Sequence, residues 1–314
     1  MKRFNLKKAV PLIGAALMAV SFIFITLHLM DSWQDIDFSA LASPLLIMAL
    51  IIVAAAEGFI MILNALNYRA ILRCLTGVTV AKFHAIKVYV IANLYKYIPG
   101  GVMYVVGRNR LAVEVDELSH GKVALSTVVE GVIWAVVGVF IAFLYSFNHF
   151  IYYVRQSGLM TAIVIVIIIV LSLSAVALLL FQRRLAIFIK QKFNIQHLTF
   201  GAALKLFISM FLLMNLWAST FIVVLIFIGQ PMTLGLSVTL MGLYILSWTV
   251  GFLTPGAPSG LLVREAVLMM FMSNTIADEV LITAIVIHRA LQVLGDVLAY
   301  IYMFAYSKFR IIWQ

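Results

Sequence analysis

Seven ionisable residues stand inside apolar stretches of this chain: Glu57, Glu130, Arg264, Glu265, His288, Arg289 and Asp296. An ionised group near a bilayer centre costs at least about 2.5–3.5 kcal/mol on insertion scales, so such groups face a protein interior or a wet cavity and usually pair. Arg264 or Arg289 could each be neutralised by Glu130, Glu265 or Asp296, which would make the set a group of structural ion pairs. Buried ion pairs contribute weakly to stability. The set as a whole therefore points to a site, and an excess of buried cation would mark an anionic substrate. Arg289 and Asp296 are seven residues apart, two helical turns on one face, whereas His288 points about 100° away. His288 reads as a packed or hydrogen-bonded residue rather than a proton relay. Glu57, alone on its helix, is either a partner for an arginine or a protonated, inert side chain.

Two arginines share a setting. Arg108 and Arg264 each lie nine residues past the first proline of an apolar stretch that Pro and Gly break at its middle. One stretch, Val88–Arg108, breaks at Pro99, Gly100 and Gly101; the other, Leu234–Ser273, breaks at Pro255, Gly256, Pro258, Ser259 and Gly260. A helix is interrupted at membrane depth only where protein or a wet cavity satisfies the freed backbone groups. Paired breaks in corresponding positions of two halves are a pointer to a transport site. A helix starting near Ser259-Gly260, with Ser259 as N-cap, would present unpaired N–H groups and a partial positive charge. Gly260 allows close approach, and Arg264 one turn further on would complete a phosphate-sized anion site. Gly100-Gly101 followed by Val102–Gly107 could do the same from the opposite side. The plainer alternative, for either break, is a tight turn with no ligand.

The elements that must carry these residues are helices in a membrane. The chain is 65% apolar and 11% charged, against about 25% charged residues in soluble domains. Six windows reach the roughly 20 apolar residues needed to cross a bilayer: Val10–Leu29, Pro44–Leu66, Val123–Leu144, Leu159–Phe181, Leu206–Ile228 and Val280–Tyr306. They are apolar on all sides, unlike the alternating strands of a barrel. Val10–Leu29 follows Lys2, Arg3, Lys7 and Lys8 but is too long for a signal-peptide core, so it reads as a retained span. Cys74 is the single cysteine, which excludes an intrachain disulfide and a cysteine metal site. The six histidines have no ligand spacing, so neither a metal nor a cofactor is expected. No nucleotide-binding loop occurs, so ATP hydrolysis by this chain is not expected.

The net charge of +10 does not call for a nucleic acid, because in a membrane protein the placement of Lys and Arg matters more than their sum. With both termini cytoplasmic, nearly all basic residues fall inside: the N-terminal cluster, Arg69, Arg73, Lys82, Lys87, Arg108, Arg110, Lys122, the Arg183–Lys205 stretch, Lys308 and Arg310. Outside remains Arg155, beside an acidic first loop with Asp31, Asp35 and Asp37. Parity then requires each broken stretch to enter and leave from one side, or the second to cross fully. The predicted fold is an all-α polytopic membrane protein of six full spans and two re-entrant hairpins. Residues 1–145 form the first repeat and 146–314 the second, with no soluble domain. Each half holds three full spans, an odd number, so the second half is inverted relative to the first, as in secondary transporters.

Three blocks carry a family likeness. The first is Asn93-Leu94-Tyr95-Lys96-Tyr97-Ile98-Pro99-Gly100-Gly101 with Gly107-Arg108; the second is Ser126–Glu130; the third is Pro258-Ser259-Gly260-Leu261-Leu262-Val263-Arg264-Glu265-Ala266. In these the chain resembles the lysylphosphatidylglycerol synthase transmembrane-domain family, a group of flippase-like membrane proteins, and Arg289 looks like that family's arginine on the last helix. The chain departs from the pattern where Gly131 follows Glu130 in place of Arg, and where Ser259 and Leu262 replace glycines. The resemblance implies movement of an anionic phospholipid or a polyprenyl-phosphate-linked sugar across the cytoplasmic (inner) membrane. Arg108, Glu130, Arg264, Glu265, Arg289 and Asp296 are the candidate headgroup residues. Family members often carry a soluble synthase; no segment here is long enough for one, so a separate lipid synthase or glycosyltransferase is the expected partner. The alternative is a non-transporting membrane partner of such an enzyme. An intramembrane enzyme fits less well: Ala257 stands where a serine protease needs Gly before Ser259, Val293 stands where an aspartyl protease needs Gly before Asp296, and no His-Glu-x-x-His motif occurs.

Overall fold

The computed structural model describes residues 44–97, 103–116, 118–156, 199–254, 260, 262–272 and 275–312. The expected spans 10–29 and 159–181 lie outside these residues, as do Pro99, Gly100, Gly101, Pro255, Gly256, Pro258 and Ser259. Among the described residues there are eight α-helices and no strand: α1 (Pro44–Thr76), α2 (Lys82–Leu94), α3 (Met103–Asp116), α4 (His120–Gln156), α5 (Phe200–Phe227), α6 (Leu234–Leu253), α7 (Val263–Met272) and α8 (Asp278–Ile312). A 3-10 turn, Tyr95–Tyr97, follows α2.

Five of these helices are long and apolar enough to cross a membrane: α1, α4, α5, α6 and α8. Three of them contain an expected window, and α5 covers its window Leu206–Ile228 but for the last residue, its C-cap. The fifth, α6, is the first arm of the second broken stretch, and it spans 20 residues. The helices overrun the hydropathy windows: α1 has 33 residues, about 50 Å at 1.5 Å per residue against a hydrocarbon core of about 30 Å. Its last turns, with Arg69 and Arg73, continue past the apolar window because nothing there breaks a helix until Gly77, which adopts φ 74°.

Local chemistry sets several ends. The Thr199 and Thr233 hydroxyls accept from the Ala202 and Leu236 amides, capping α5 and α6. Asp278 and Glu279 sit in the first turn of α8, where the helix dipole favours acids. At the end of α6, Thr254 is extended at ψ 112°, as the residue before a proline prefers. One end differs from expectation. The helix bearing Arg264 starts at Val263, not at Ser259-Gly260, because Gly260 and Leu262 both hold left-handed backbone at φ 67° and φ 68°.

Packing joins α1 to α2, α4, α5 and α8; α4 to α3, α5 and α6; α8 to α2, α5 and α7; α2 to α3; and α6 to α5 and α7. Exchanging α1 with α5, α2 with α6, α3 with α7 and α4 with α8 turns this set of packed pairs into itself. Neither helix of the α2/α3 hairpin packs along α6 or α7. The α1–α8 crossing is tight because it is made at two glycines. A Cβ added at Gly295 would lie 2.5 Å from the Glu57 Cβ and 2.9 Å from the Gly58 nitrogen. The outer surface stays apolar, with Ile51, Phe59, Leu144, Leu212, Val286 and Ile301 all exposed, as a bilayer-facing surface requires.

Candidate functional site

Arg264 is the second residue of α7 and is buried at 6% exposure. The turn before it is held by backbone contact with α6: a Cβ on Gly260 would fall 2.8 Å from the Gly251 Cα. That approach delivers the guanidinium to α5 and α6, where its Cζ lies 5.3 Å from the Trp217 ring centre and 4.8 Å from that of Tyr244. Both are cation–π distances. Its Nη2 donates to the Tyr244 hydroxyl, and its Nη1 lies 3.5 Å from the Gln292 Oε1. Among the described residues no carboxylate reaches ion-pair distance of Arg264; the acids nearby pair elsewhere.

Behind Tyr244 a chain of buried polar groups runs across four helices. The Tyr244 hydroxyl is 2.8 Å from His288 Nδ1. His288 Nε2 is 2.8 Å from the Thr220 Oγ1 and 3.2 Å from the Glu57 Oε1, and Thr220 donates to that same Glu57 oxygen at 2.7 Å. Phe221 stacks on the Tyr244 ring at 4.4 Å and meets His288 edge-on, which fixes both rings. Glu57 therefore pairs with a histidine and a threonine rather than with an arginine. His288 is fully buried and hydrogen-bonded, in agreement with its spacing.

The other expected charges are paired. Arg289 donates from Nε to the Glu265 Oε1 at 2.6 Å, joining α8 to α7. Asp296 accepts from the Asn93 amide at 3.3 Å and holds the Lys96 Nζ at 2.5 Å, joining α8 to the 3-10 turn of the first hairpin. One face of α8 thus holds the second hairpin through Arg289 and the first through Asp296. Arg108, at 2% exposure, is ion-paired to Glu130 of α4. Its Cζ lies 4.7, 4.4 and 5.5 Å from the ring centres of Tyr68, Tyr89 and Tyr104. Glu130 is consumed by this pair, and Arg108 does not join Arg264, Glu265, Arg289 and Asp296 in one cluster.

Tyr244, Trp217, Thr220 and Gln292, together with the tyrosines around Arg108, escape sequence reasoning. They sit in helices whose apolar runs carry no mark of which polar or aromatic member faces an arginine. Lys96 and Asn93 belong to a motif block, yet only the fold shows that they meet Asp296. Between α1 and α5 a cleft of about 620 Å³ is lined by Asn67, Arg73, Thr79, Lys205 and Ser209. Within it Ser209 donates to the Asn67 Oδ1 at 2.5 Å.

No group of His, Cys, Asp and Glu among the described residues is arranged to hold a metal. Comparison with curated proteins gives no match. The profile of the lysylphosphatidylglycerol synthase TM region, in contrast, matches residues 11–299. With nearly the whole chain covered and the membrane helices that such a region requires, this protein belongs to the lysylphosphatidylglycerol synthase TM region family.

Proposed function

We propose that the chain moves an anionic lipid, either a phospholipid or a polyprenyl-phosphate-linked sugar, across the cytoplasmic membrane. The observation that carries this reading is Arg264, a buried guanidinium with no carboxylate at ion-pair distance among the described residues. A buried charge without a counterion is costly. A guanidinium held by rings and neutral hydrogen-bond partners is suited to accept a phosphate bidentately. The lipid phosphate docks on Arg264 beside the Tyr244 hydroxyl and Gln292, while Arg289 and Glu265 border the site for the remainder of the headgroup.

Movement follows from an inverted 3+3 repeat, a reading supported by the set of packed helix pairs that survives exchange of the two halves. Rocking one repeat against the other would open the Arg264 site to each leaflet in turn. Asp296 and Arg289 on α8 hold one hairpin each and would carry the two together. In this reading both termini are cytoplasmic, no bond is made or broken, and a separate enzyme supplies the lipid.

The test is reconstitution. Purified protein in vesicles should speed the loss of inner-leaflet fluorescent phosphatidylglycerol measured by outside quenching, and Arg264→Gln should abolish that acceleration without changing the elution of the purified protein. Absence of acceleration with phosphatidylglycerol and with a polyprenyl phosphate alike would reject transport.

A further inference from the structure

Hydrogen-bond directions along the buried chain are determined by its two ends. A guanidinium has only donors and a carboxylate only acceptors. Arg264 Nη2 must donate to the Tyr244 oxygen, and Gln292 Nε2, at 3.4 Å, approaches the same oxygen as a donor. The single phenolic hydrogen is then directed to His288 Nδ1 at 2.8 Å. An accepting Nδ1 means a neutral imidazole with its proton on Nε2, which faces the Glu57 Oε1 and the Thr220 Oγ1. The chain runs one way, from Arg264 through two neutral side chains to Glu57. Glu57 is the remote counter-charge of Arg264, and the assembly as it stands is neutral.

We propose that Glu57 and His288 form a proton-binding site linked to the anion site, so that one proton is taken up for each anionic headgroup bound at Arg264. The inference rests on the lipid reading above. A phosphodiester on Arg264 adds one negative charge to buried surroundings in which His288 has 0% exposure and Glu57 8%. Neutrality returns when a proton from water binds His288 Nδ1, giving an imidazolium paired with the Glu57 carboxylate. Nδ1–H then donates to the Tyr244 oxygen in place of Gln292 Nε2, and the phenolic hydrogen turns to an oxygen of the phosphate. No covalent bond other than the new N–H forms or breaks. The groups that face His288 are Glu57 from α1, Thr220, Trp217 and Phe221 from α5, Tyr244 from α6 and, through Tyr244, Arg264 from α7; Arg289 beside it on α8 is held by Glu265.

Further polar groups line α1 beside this site. Asn67, hydrogen-bonded to Ser209, lines the basic cleft, and Asn64 has a buried Oδ1 with no hydrogen-bond partner among the described residues. Asn64 lies two turns from Glu57 on the same helix face.

The test is calorimetric titration of the detergent-solubilised full chain with dihexanoyl phosphatidylglycerol, between pH 6 and 8 and in buffers of different ionisation enthalpy. About one proton should be taken up per lipid, and affinity should fall about tenfold per pH unit as pH rises, the linkage expected for one proton. Glu57→Gln, which starts with one positive charge in excess, should bind at pH 8 at least as tightly as wild type and take up no proton. Tyr244→Phe, which keeps the ring under Arg264, should also lose the pH dependence. Either variant suffices if the other fails to fold. Inorganic phosphate in place of the lipid separates the sources: heat with phosphate alone and none with lipid would overturn lipid occupancy. Wild-type binding with transport but no proton uptake would overturn the linkage and leave the transport reading standing, whereas no movement of any lipid would overturn both.

Discussion

Arg108 and Arg264 each stand nine residues beyond the first proline of a broken apolar stretch, and each rests on aromatic rings contributed by neighbouring helices. Arg108 is closed by Glu130 and three tyrosines. Arg264 is held by two rings, a phenol and an amide, with no acid at ion-pair distance among the described residues. In the proposed reading, the same sequence device is put to two uses. A buried ion pair has its charge satisfied from within, and removing one partner strands the other. In the proposed reading, an arginine whose counter-charge lies three side chains away, held by neutral partners instead, receives the anion. On that proposal, what separates a site from a structural bridge is where the nearest carboxylate sits.

The largest effect that would sharpen the contrast is on lipid movement. Arg264→Gln removes a charge-assisted interaction of about 1.5–3 kcal/mol with the phosphate, which corresponds to roughly 10–100-fold in binding. Vesicle assays should lose acceleration to match, while thermal unfolding shifts by about 1–2 kcal/mol for the lost ring contacts and hydrogen bond. Arg108→Gln should reverse the pattern. It leaves Glu130 buried and unpaired, destabilising the fold by about 3–5 kcal/mol, and the joint Arg108→Met, Glu130→Leu variant should recover most of that stability in the same melt. Arg108→Gln with an unchanged melting temperature would erase the distinction between the two arginines.

Smaller effects probe how each hairpin is held. Gly260→Ala forces a Cβ to 2.8 Å from Gly251 and into left-handed backbone that costs an L-residue about 1–2 kcal/mol. Its melting temperature should fall, and transport should fall further, since Arg264 is placed by that turn. Lys96→Gln removes a partner of Asp296; the Lys96 side chain is 28% exposed. It should cost under about 1 kcal/mol and change transport little if Asp296 is a clasp on the first hairpin. A loss as deep as that of Arg264→Gln would move the site toward that turn.

Much of the framework is legible in the sequence because hydropathy is a local property. α1, α4, α5 and α8 each contain an apolar window of the right length, and the ends of α6 and α8 follow from Pro255 and from Asp278 and Glu279. The extents of these helices are less legible, since a helix continues through Arg69 and Arg73 where the apolar run has stopped. The start of α7 is misplaced because left-handed backbone at Gly260 and again at Leu262 delays the helix, and at Leu262 residue type gives no mark of it. For the site, cost alone singles out Arg264, Glu57 and His288, but not their arrangement. Tyr244 joins Arg264 to His288 from another helix, and no spacing within one strand of sequence records which of many apolar-helix tyrosines does so.

The most direct measurement is the position of a bound headgroup, obtained by solving the protein in nanodiscs with an anionic lipid whose phosphate is located in the map. The account predicts the phosphate within hydrogen-bond distance of the Arg264 guanidinium and the Tyr244 hydroxyl, with Arg108 still closed on Glu130. A headgroup bound elsewhere, with Arg264 folded onto a carboxylate, would contradict it.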